Sequence, residues 1–196
     1  MNGYIVINTY RCIGCGTCQA ACSEGHQKAG LQAAPRLALV MTRDVSAAVT
    51  CHHCDGAPCM QVCPVRAITN ENGSIHINEQ TCVGCKMCAV VCPFGAIHPS
   101  GTSLAGVAGM KYDTPTFPSS RGEMLQWEEG ITTRAVKCDL CSFDPEGPHC
   151  VKACATNALS YVDEAAVTST LRLERAVAAE ASDQYAHDFT RMGAQR

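Results

Sequence analysis

Sixteen cysteines in a chain of 196 residues constrain this fold more than any other feature of its sequence. They form four groups of four, with none left over: Cys12, Cys15, Cys18 and Cys22; Cys51, Cys54, Cys59 and Cys63; Cys82, Cys85, Cys88 and Cys92; Cys138, Cys141, Cys150 and Cys154. The first and third groups have the spacing C-x2-C-x2-C-x3-C, which is typical of [4Fe–4S] ligands. The second and fourth groups keep the ends of that spacing and lengthen its middle gap. The sequence therefore predicts four [4Fe–4S] clusters, with all sixteen cysteines as iron ligands.

This spacing suits a cluster because residues two or three apart on a tight loop direct their sulfur atoms toward one point. The backbone N–H groups of such a loop then face the anionic sulfides. Gly14, Gly16 and Gly84 lie inside the loops, where the backbone must bend sharply. We expect the fourth cysteine of each group to begin a short helix and, as in two-cluster ferredoxins, to ligate the neighbouring cluster.

Two other interpretations of the cysteines are weaker. Structural zinc also uses C-x2-C pairs, but with a longer gap between the pairs, and it does not need four thiolates so close in sequence. Disulfides are disfavoured because neighbouring C-x2-C thiols are poorly placed for independent bridges, and no secretory signal precedes them. The fourfold repetition favours iron–sulfur clusters.

The composition indicates that clusters replace part of an ordinary core. Apolar residues make up 46% of the chain, but this fraction includes the cysteines, and aromatic residues are only 5%. We expect the clusters to organise the fold and the apoprotein to be poorly folded. The formal charge is −3, and each oxidised cluster with four thiolates adds about −2, giving about −11, which disfavours nucleic-acid binding.

The sequence also predicts where the protein works. No stretch approaches the length of a membrane span, so we expect no direct span. The opening residues 1–8 are interpreted as a strand and not as a signal peptide, because they lack a basic start and a long apolar run. The many thiolates favour the reducing cytoplasm.

An internal repeat indicates a ferredoxin-like module in the middle of the chain. The segments Cys63–Ile68 and Cys92–Ile97 share the motif Cys-Pro-x-x-Ala-Ile. Between them, Ile75–Asn78 is a predicted strand. We therefore assign cysteine groups two and three to an inner module at residues 48–98.

The two ends of the chain are then expected to form an outer module, from residues 1–47 plus 131–163, around cysteine groups one and four. Its predicted strands are Tyr4–Asn8, Arg134–Lys137 and Leu159–Val162. The fold class is α+β, with two nested, loop-rich modules. The alternative, in which group one pairs with two and group three with four, requires cluster partners across longer gaps.

Two further segments complete the predicted organisation. Residues 99–130 are rich in glycine and proline and contain the single tryptophan, Trp127, so they are interpreted as an excursion loop or a docking surface. Residues 164–196 are expected to form a C-terminal helix and tail, with Asp163 as the N-cap and helix to about Ser182.

Several residues near the cysteines allow more than one interpretation. His52 and His53 are candidates for Rieske-type ligation, but all ligand positions are filled by cysteine, so hydrogen bonding near the cluster or loop packing is favoured. Lys86 and Lys137 stand beside ligands and are either potential-raising charges or solvated lysines. A similar ambiguity applies to Arg36 and Arg66, and His26 and His149 are interpreted as polar loop residues.

No catalytic arrangement is evident in the sequence. It lacks a Ser/His/Asp pattern, paired carboxylates, a phosphate-binding glycine loop and an H-E-x-x-H motif. We therefore expect a subunit that carries electrons and is not itself an enzyme.

Three stretches resemble a known family. They are Cys51–Cys59, Cys92–Ile97 and Val136–Phe143, the last followed by Pro145-Glu146-Gly147-Pro148. They are similar to the four-cluster iron–sulfur subunits of molybdopterin oxidoreductases. The opening Cys12–His26 and the following Pro35-Arg36-Leu37 resemble most closely the formate hydrogenlyase and hydrogenase-4 branch. Ala155 departs from the pattern, since several relatives have proline after the last ligand.

The resemblance implies two nested ferredoxin modules in which one cysteine of each group is exchanged. The implied ligand sets are Cys12, Cys15, Cys18 and Cys154; Cys138, Cys141, Cys150 and Cys22; Cys51, Cys54, Cys59 and Cys92; Cys82, Cys85, Cys88 and Cys63.

The resemblance also implies partners and a location. Such subunits relay electrons between a molybdenum or tungsten bis-pterin formate dehydrogenase and a membrane-associated [NiFe]-hydrogenase, reached through its small subunit or a related iron–sulfur subunit. This places the chain in the cytoplasm, at the inner face of the membrane through its partners. The alternatives are a β subunit of another molybdopterin oxidoreductase, a soluble polyferredoxin or, less favoured, a structural zinc protein.

Overall fold

The computed structural model describes residues 2–99 and 134–193. In these ranges the chain forms eight short strands and five helices. The strands are β1 (Tyr4–Ile7), β2 (Ala38–Met41), β3 (Ser46–Val49), β4 (Ile68–Glu71), β5 (Ser74–Ile77), β6 (Ile97–His98), β7 (Val136–Lys137) and β8 (Leu159–Val162). The helices are α1 (Thr17–Lys28), α2 (Pro58–Gln61), α3 (Met87–Val91), α4 (His149–Lys152) and α5 (Glu164–Gly193).

The strands pair two by two. β2 with β3 and β4 with β5 are antiparallel hairpins, with Ala38 opposite Val49 and Ile68 opposite Ile77. β1 pairs with β8, so the first and last strands of the chain lie side by side. Just beyond this pair, Asn8 N–H donates to the Ala158 carbonyl at 2.8 Å.

The pairing of β7 differs from the sequence prediction. A strand was predicted at Arg134–Lys137 in the outer module, but β7 covers Val136–Lys137 and pairs with β6, which follows the third cysteine group. Ile97 lies opposite Lys137 in this antiparallel pair. β7 therefore connects residues beside the fourth cysteine group to the end of the predicted inner module.

The helices begin one cysteine earlier than expected. The third cysteine of each group lies in the first turn of its helix: Cys18 in α1, Cys59 in α2, Cys88 in α3 and Cys150 in α4. The fourth cysteine was expected to begin the helix, and this is wrong: Cys63, Cys92 and Cys154 follow a helix end, whereas Cys22 lies inside α1. A helix placed there directs its first N–H groups toward the cysteine loop that precedes it.

The buried core contains no phenylalanine, tyrosine or tryptophan in the residues that the structure describes. One buried cluster combines aliphatic residues, such as Ile5, Leu37 and Leu159, with five cysteines. A second combines Ile68, Ile75 and Ile97 with three cysteines. Cysteine thus supplies a large share of the interior, as the low aromatic content suggested.

The C-terminal residues from Val162 onward form a separate unit that consists mainly of α5. The predicted N-cap is confirmed: the Asp163 carboxylate accepts a hydrogen bond from Ala166 N–H at 2.8 Å. The helix continues to Gly193, past the predicted end near Ser182. Across the described ranges, no helix combines the length and the apolar character that crossing a membrane requires. The predicted excursion, including Trp127, lies outside the described residues except at residue 99.

Candidate iron–sulfur centres

The thiols of the first group approach the last cysteine of the chain. Cys15 interacts electrostatically with Cys154, and Cys18 with Cys12 and Cys15. The loop that carries them turns at Gly14 and Gly16, which have φ angles of 71° and 77°. Since glycine adopts this left-handed conformation without strain, the loop can bend twice within four residues.

The remaining cysteines of the fourth group gather around Cys22. Cys150 interacts with Cys22 and Cys141, Cys141 with Cys22, and Cys138 with Cys150. All four of these residues are buried. Helices α1 and α4 carry Cys22 and Cys150 and pack against each other, which brings residues more than a hundred positions apart into one site.

Cysteines of the second and third groups also lie near one another. Cys54 and Cys59 both interact with Cys51 and with Cys92 of the third group. One cavity is lined by Cys63 of the second group together with Cys82, Cys85 and Cys88 of the third. The structure thus brings three cysteines of one group together with the fourth cysteine of another.

Backbone N–H groups point at several of the sulfur atoms. Ala67 N–H donates to Cys63 Sγ and Ala158 N–H to Cys154 Sγ, each at 3.2 Å. Cys22 Sγ accepts from Arg36 N–H at 3.3 Å. Such donors stabilise negative charge on a thiolate and on an iron–sulfur cluster.

The turn after the fourth cysteine does not depend on proline. Pro64 follows Cys63 and Ala155 follows Cys154, yet both turns contain a left-handed residue and the same N–H to sulfur bond. The left-handed residues are Arg66, with φ of 51°, and Asn157, with φ of 50°. Alanine at position 155 therefore leaves the turn geometry intact.

Burial makes the thiolate form of several cysteines costly. It raises the pKa of Cys141 and Cys150 to about 12 and that of Cys88 to about 11. Buried thiolates need positive charge nearby, and iron supplies it when a cluster binds. Groups of converging thiols with backbone donors fit [4Fe–4S] clusters by their chemistry.

A buried network of charges borders the set around Cys22. His26 donates from Nδ1 to the Cys22 carbonyl at 2.7 Å, and its Nε2 lies 3.0 Å from Asp139 Oδ1. The guanidinium of Arg36 pairs with Glu79 and lies 3.6 Å from Asp139 Oδ2. All four charged side chains are buried.

His26 is the cation of this network that titrates. Burial opposes its charge, but the hydrogen bonds to Asp139 and Cys22 outweigh burial and raise the pKa of His26 to about 9. Burial also opposes the charge of Asp139, while His26 and Arg36 hold the pKa of that carboxyl well below its usual range. With both ring nitrogens donating, His26 is the imidazolium and has no lone pair for a metal, although it lies near Asp139 and Cys141.

This network was missed in the sequence, where His26 was interpreted as a polar loop residue. The interpretation as a loop residue is wrong, because His26 lies inside α1, one turn after Cys22. His26 follows Cys22 by four residues, which on a helix places both side chains on the same face. This spacing is the signal that could have identified His26 as a neighbour of the cysteines.

The two adjacent histidines of the second group have different environments. His53 is buried, and its Nδ1 accepts a hydrogen bond from Ile75 N–H at 2.9 Å. Its Nε2 has no partner among the described residues. His52 is exposed and stacks on Phe94, with ring centroids 3.9 Å apart. The contacts of both residues agree with hydrogen bonding and packing.

The two lysines beside ligands also differ. Lys86 is exposed and adopts a left-handed conformation, with φ of 66°, at the start of α3. Lys137 is only 1% exposed, so its interpretation as a solvated lysine is wrong. Its ammonium donates to the carbonyls of Ile75 and Cys138, the latter at 2.6 Å.

Two segments of the chain match families described as 4Fe-4S binding domain, at residues 3–24 and 75–98. These segments contain cysteine groups one and three. The matches establish ferredoxin-like domains that bind [4Fe–4S] clusters.

Similar proteins cover most of the chain. Hydrogenase-4 component A of Escherichia coli K12 is 48% identical over 170 residues, 83% of each chain. Formate hydrogenlyase subunit 2 of the same strain is 44% identical over 181 residues, 89% of each chain. Electron transport protein HydN of that strain is 35% identical over 170 residues, covering 83% of this chain and 89% of HydN.

Proposed function

Because this chain belongs to the family of iron–sulfur electron-transfer subunits that includes hydrogenase-4 component A and formate hydrogenlyase subunit 2, we propose that it relays electrons through four [4Fe–4S] clusters in a formate-oxidising, hydrogen-evolving complex. The observation that carries the proposal is that cysteines of different sequence groups lie close together, as Cys15 lies near Cys154 and Cys141 near Cys22. When bound, the clusters supply one-electron chemistry, and the chain holds them, shields them from water and sets the charge around them.

The proposed ligand sets are Cys12, Cys15, Cys18 and Cys154; Cys22, Cys138, Cys141 and Cys150; Cys51, Cys54, Cys59 and Cys92; and Cys63, Cys82, Cys85 and Cys88. We call these sets one, two, three and four. The interaction of Cys15 with Cys154, and of Cys141 with Cys22, supports the exchange in sets one and two. The interaction of Cys54 with Cys92 supports set three, and the cavity lined by four cysteines supports set four.

We further propose that two ferredoxin modules are nested, with residues 48–98 inside residues 1–47 plus 131–163. The pairing of β1 with β8 and the packing of α1 against α4 support the outer module. The packing of α2 against α3 and the hairpin of β4 and β5 support the inner module. The pairing of β6 with β7 then joins the two proposed modules to each other.

The exposure of the proposed ligands indicates which clusters lie at the two ends of the relay. Cys15 of set one and Cys85 of set four are exposed, whereas every ligand of set two is buried. Beside these two cysteines, Ile13 is 68% exposed and Val83 is 51% exposed. Exposed apolar residues next to a ligand suit contact with a redox partner. We therefore propose that electrons enter and leave at sets one and four.

The proposed partners are a molybdenum or tungsten bis-pterin formate dehydrogenase subunit and a [NiFe]-hydrogenase, through its small subunit or a related iron–sulfur subunit. The chain itself is proposed to be non-catalytic, and to work in the cytoplasm at the inner face of the membrane. A β subunit of another molybdopterin oxidoreductase is the second candidate. A soluble polyferredoxin is a further one, since HydN is an electron transport protein.

Two measurements test the proposal. Anaerobic elemental analysis should give about sixteen irons per chain and no stoichiometric zinc. A tagged chain purified anaerobically should carry a formate dehydrogenase and hydrogenase subunits with it. Far fewer irons would contradict the four-cluster relay, and a zinc-loaded, colourless protein would favour the structural zinc alternative. Recovery of a different molybdoenzyme, or of no partner, would move the assignment to the second or third candidate.

A further inference from the structure

Lys137 is a buried cation that no carboxylate of the described residues pairs with. Its side chain is 1% exposed, and its ammonium donates to the carbonyls of Ile75 and Cys138. In residues 2–99 and 134–193 no acidic side chain forms a salt bridge with it. A buried charge that is solvated only by carbonyl dipoles is costly unless further negative charge lies nearby.

Several contacts fix the position of this ammonium. Lys137 lies on β7, opposite Ile97 of β6. The peptide of Ile75 is held on its other side, because its N–H donates to His53 Nδ1 while its carbonyl accepts from Lys137. Because Nδ1 of His53 accepts this hydrogen bond, the imidazole is not a second cation beside the ammonium. The ammonium is thus a fixed charge on a strand and not the end of a mobile side chain.

Lys137 is linked by hydrogen bonds to residues of two different ligand sets. Its ammonium donates to the carbonyl of Cys138, which belongs to set two, at 2.6 Å. Through the peptide of Ile75 it is also linked to His53, which stands between Cys51 and Cys54 of set three. The cation therefore lies where the proposed inner and outer modules meet.

The other cations of the described residues differ from Lys137 in burial or pairing. Buried Arg36 and His26 are balanced by Glu79 and Asp139. Exposed Lys86 is surrounded by water, which screens its charge. Lys152 pairs with Glu146 at 2.7 Å.

We propose that Lys137 is a shared counter-charge for the clusters of sets two and three, and that it raises the reduction potential of both. The inference rests on the four-cluster function proposed above. Reduction adds one negative charge to a cluster, and a fixed cation in a poorly solvated interior stabilises that charge. Lys137 would thereby favour the reduced state of the set-two cluster and of the set-three cluster.

The test is potentiometric EPR on the anaerobic full-length protein, with Lys137→Met and Lys137→Gln compared with wild type. Methionine keeps much of the side-chain volume, and glutamine keeps a donor for the two carbonyls. At a fixed potential, we expect the reduced-to-oxidised ratio of two clusters to fall about tenfold, which is about 59 mV for a one-electron couple. Cys59→Ala and Cys138→Ala identify the signals of sets three and two.

Two variants serve as controls. Lys137→Arg keeps the charge, so its potentials should stay close to those of wild type. Lys86→Gln removes an exposed charge beside Cys85 and should leave all four clusters unchanged, because solvent already screens that charge.

Three outcomes would overturn the proposal. In the first, the neutral variants load fully and no potential shifts. In the second, all four potentials fall together, which indicates a general structural change. In the third, both neutral variants lose iron while Lys137→Arg binds its full set of clusters, which assigns Lys137 a role in cluster assembly instead. Fewer than about sixteen irons in wild type would instead reject the proposed function, independently of the variants.

Discussion

The Nε2 of His26 lies 3.0 Å from Oδ1 of Asp139 and joins helix α1 to the fourth cysteine group across 113 positions of sequence. Asp139 Oδ1 also accepts a hydrogen bond from Cys141 N–H at 3.0 Å. One carboxylate therefore orders the loop between Cys138 and Cys141 and anchors it to the helix that carries Cys22. Protein contacts alone thus connect the two chain segments that supply set two.

Replacing Asp139 with Asn should strongly destabilise the protein. Asparagine has nearly the same shape, but it removes the negative charge that faces His26 and Arg36, both of which are buried. Breaking a buried ion pair by removing one partner costs about 3–5 kcal/mol, because the remaining charge is left uncompensated. The denaturant midpoint of the anaerobic holoprotein, followed by cluster absorbance, measures the loss.

Lys28→Met is the matched control for this variant. It breaks the exposed pair of Lys28 with Glu24, whose atoms lie 2.6 Å apart on the surface of the same helix α1. Solvent screening makes that pair a weak contributor, so the midpoint should not move measurably. An Asp139→Asn midpoint equal to that of Lys28→Met would contradict the role assigned to the buried network.

Local signals in the sequence predicted several elements well. The strand at Leu159–Val162 and the N-cap at Asp163 are confirmed, and strand β1 is one residue shorter than predicted. Alternating apolar residues and a capping carboxylate act over a few positions, so a single sequence reveals them. The partners of short strands are decided by tertiary packing, which explains why the pairing of β7 with β6 was not predicted.

The candidate site shows the same division between local and distant information. The cysteine spacing indicated iron–sulfur ligands directly, whereas the exchange of cysteines between groups was inferred from family resemblance. The charges around His26 were missed, since Asp139 and Glu79 are distant in sequence and their exposure is decided only by the fold. Burial likewise separates Lys137 from Lys86, although both stand next to a cysteine.

Replacing Gly25 with Ala should destabilise the packing of α1 against α4. In an isolated helix this change is favourable by about 1 kcal/mol. Here a Cβ at Gly25 would lie 2.8 Å from Cδ2 and 3.0 Å from Nε2 of the His149 ring. That ring is held by Phe143, at a centroid distance of 6.0 Å, and lies 3.1 Å from Asp144 Oδ2. Overpacking of this kind costs about 1–3 kcal/mol, so the net change should be a lower denaturant midpoint.

The double variant Gly25→Ala, His149→Ala separates overpacking from other causes. Removing the ring frees the space that the new methyl group needs. The combined loss should therefore be smaller than the sum of the two single losses. Strict additivity, or a Gly25→Ala protein that is more stable than wild type, would show that the close approach of α1 to α4 does not matter.

Single cysteine variants should distinguish exchanged ligands from unexchanged ones. If set one contains the last cysteine of the chain, Cys12→Ala and Cys154→Ala should abolish or alter the same EPR signal of the reduced protein. Cys22→Ala should instead affect the signal that Cys138→Ala affects, although Cys22 belongs to the same sequence group as Cys12. The reason is geometric, since Cys15 interacts with Cys154 while Cys22 lies among Cys141 and Cys150. Were Cys12→Ala and Cys22→Ala to affect one common signal while Cys154→Ala affected another, each group would bind its own cluster and the exchanged sets would be wrong.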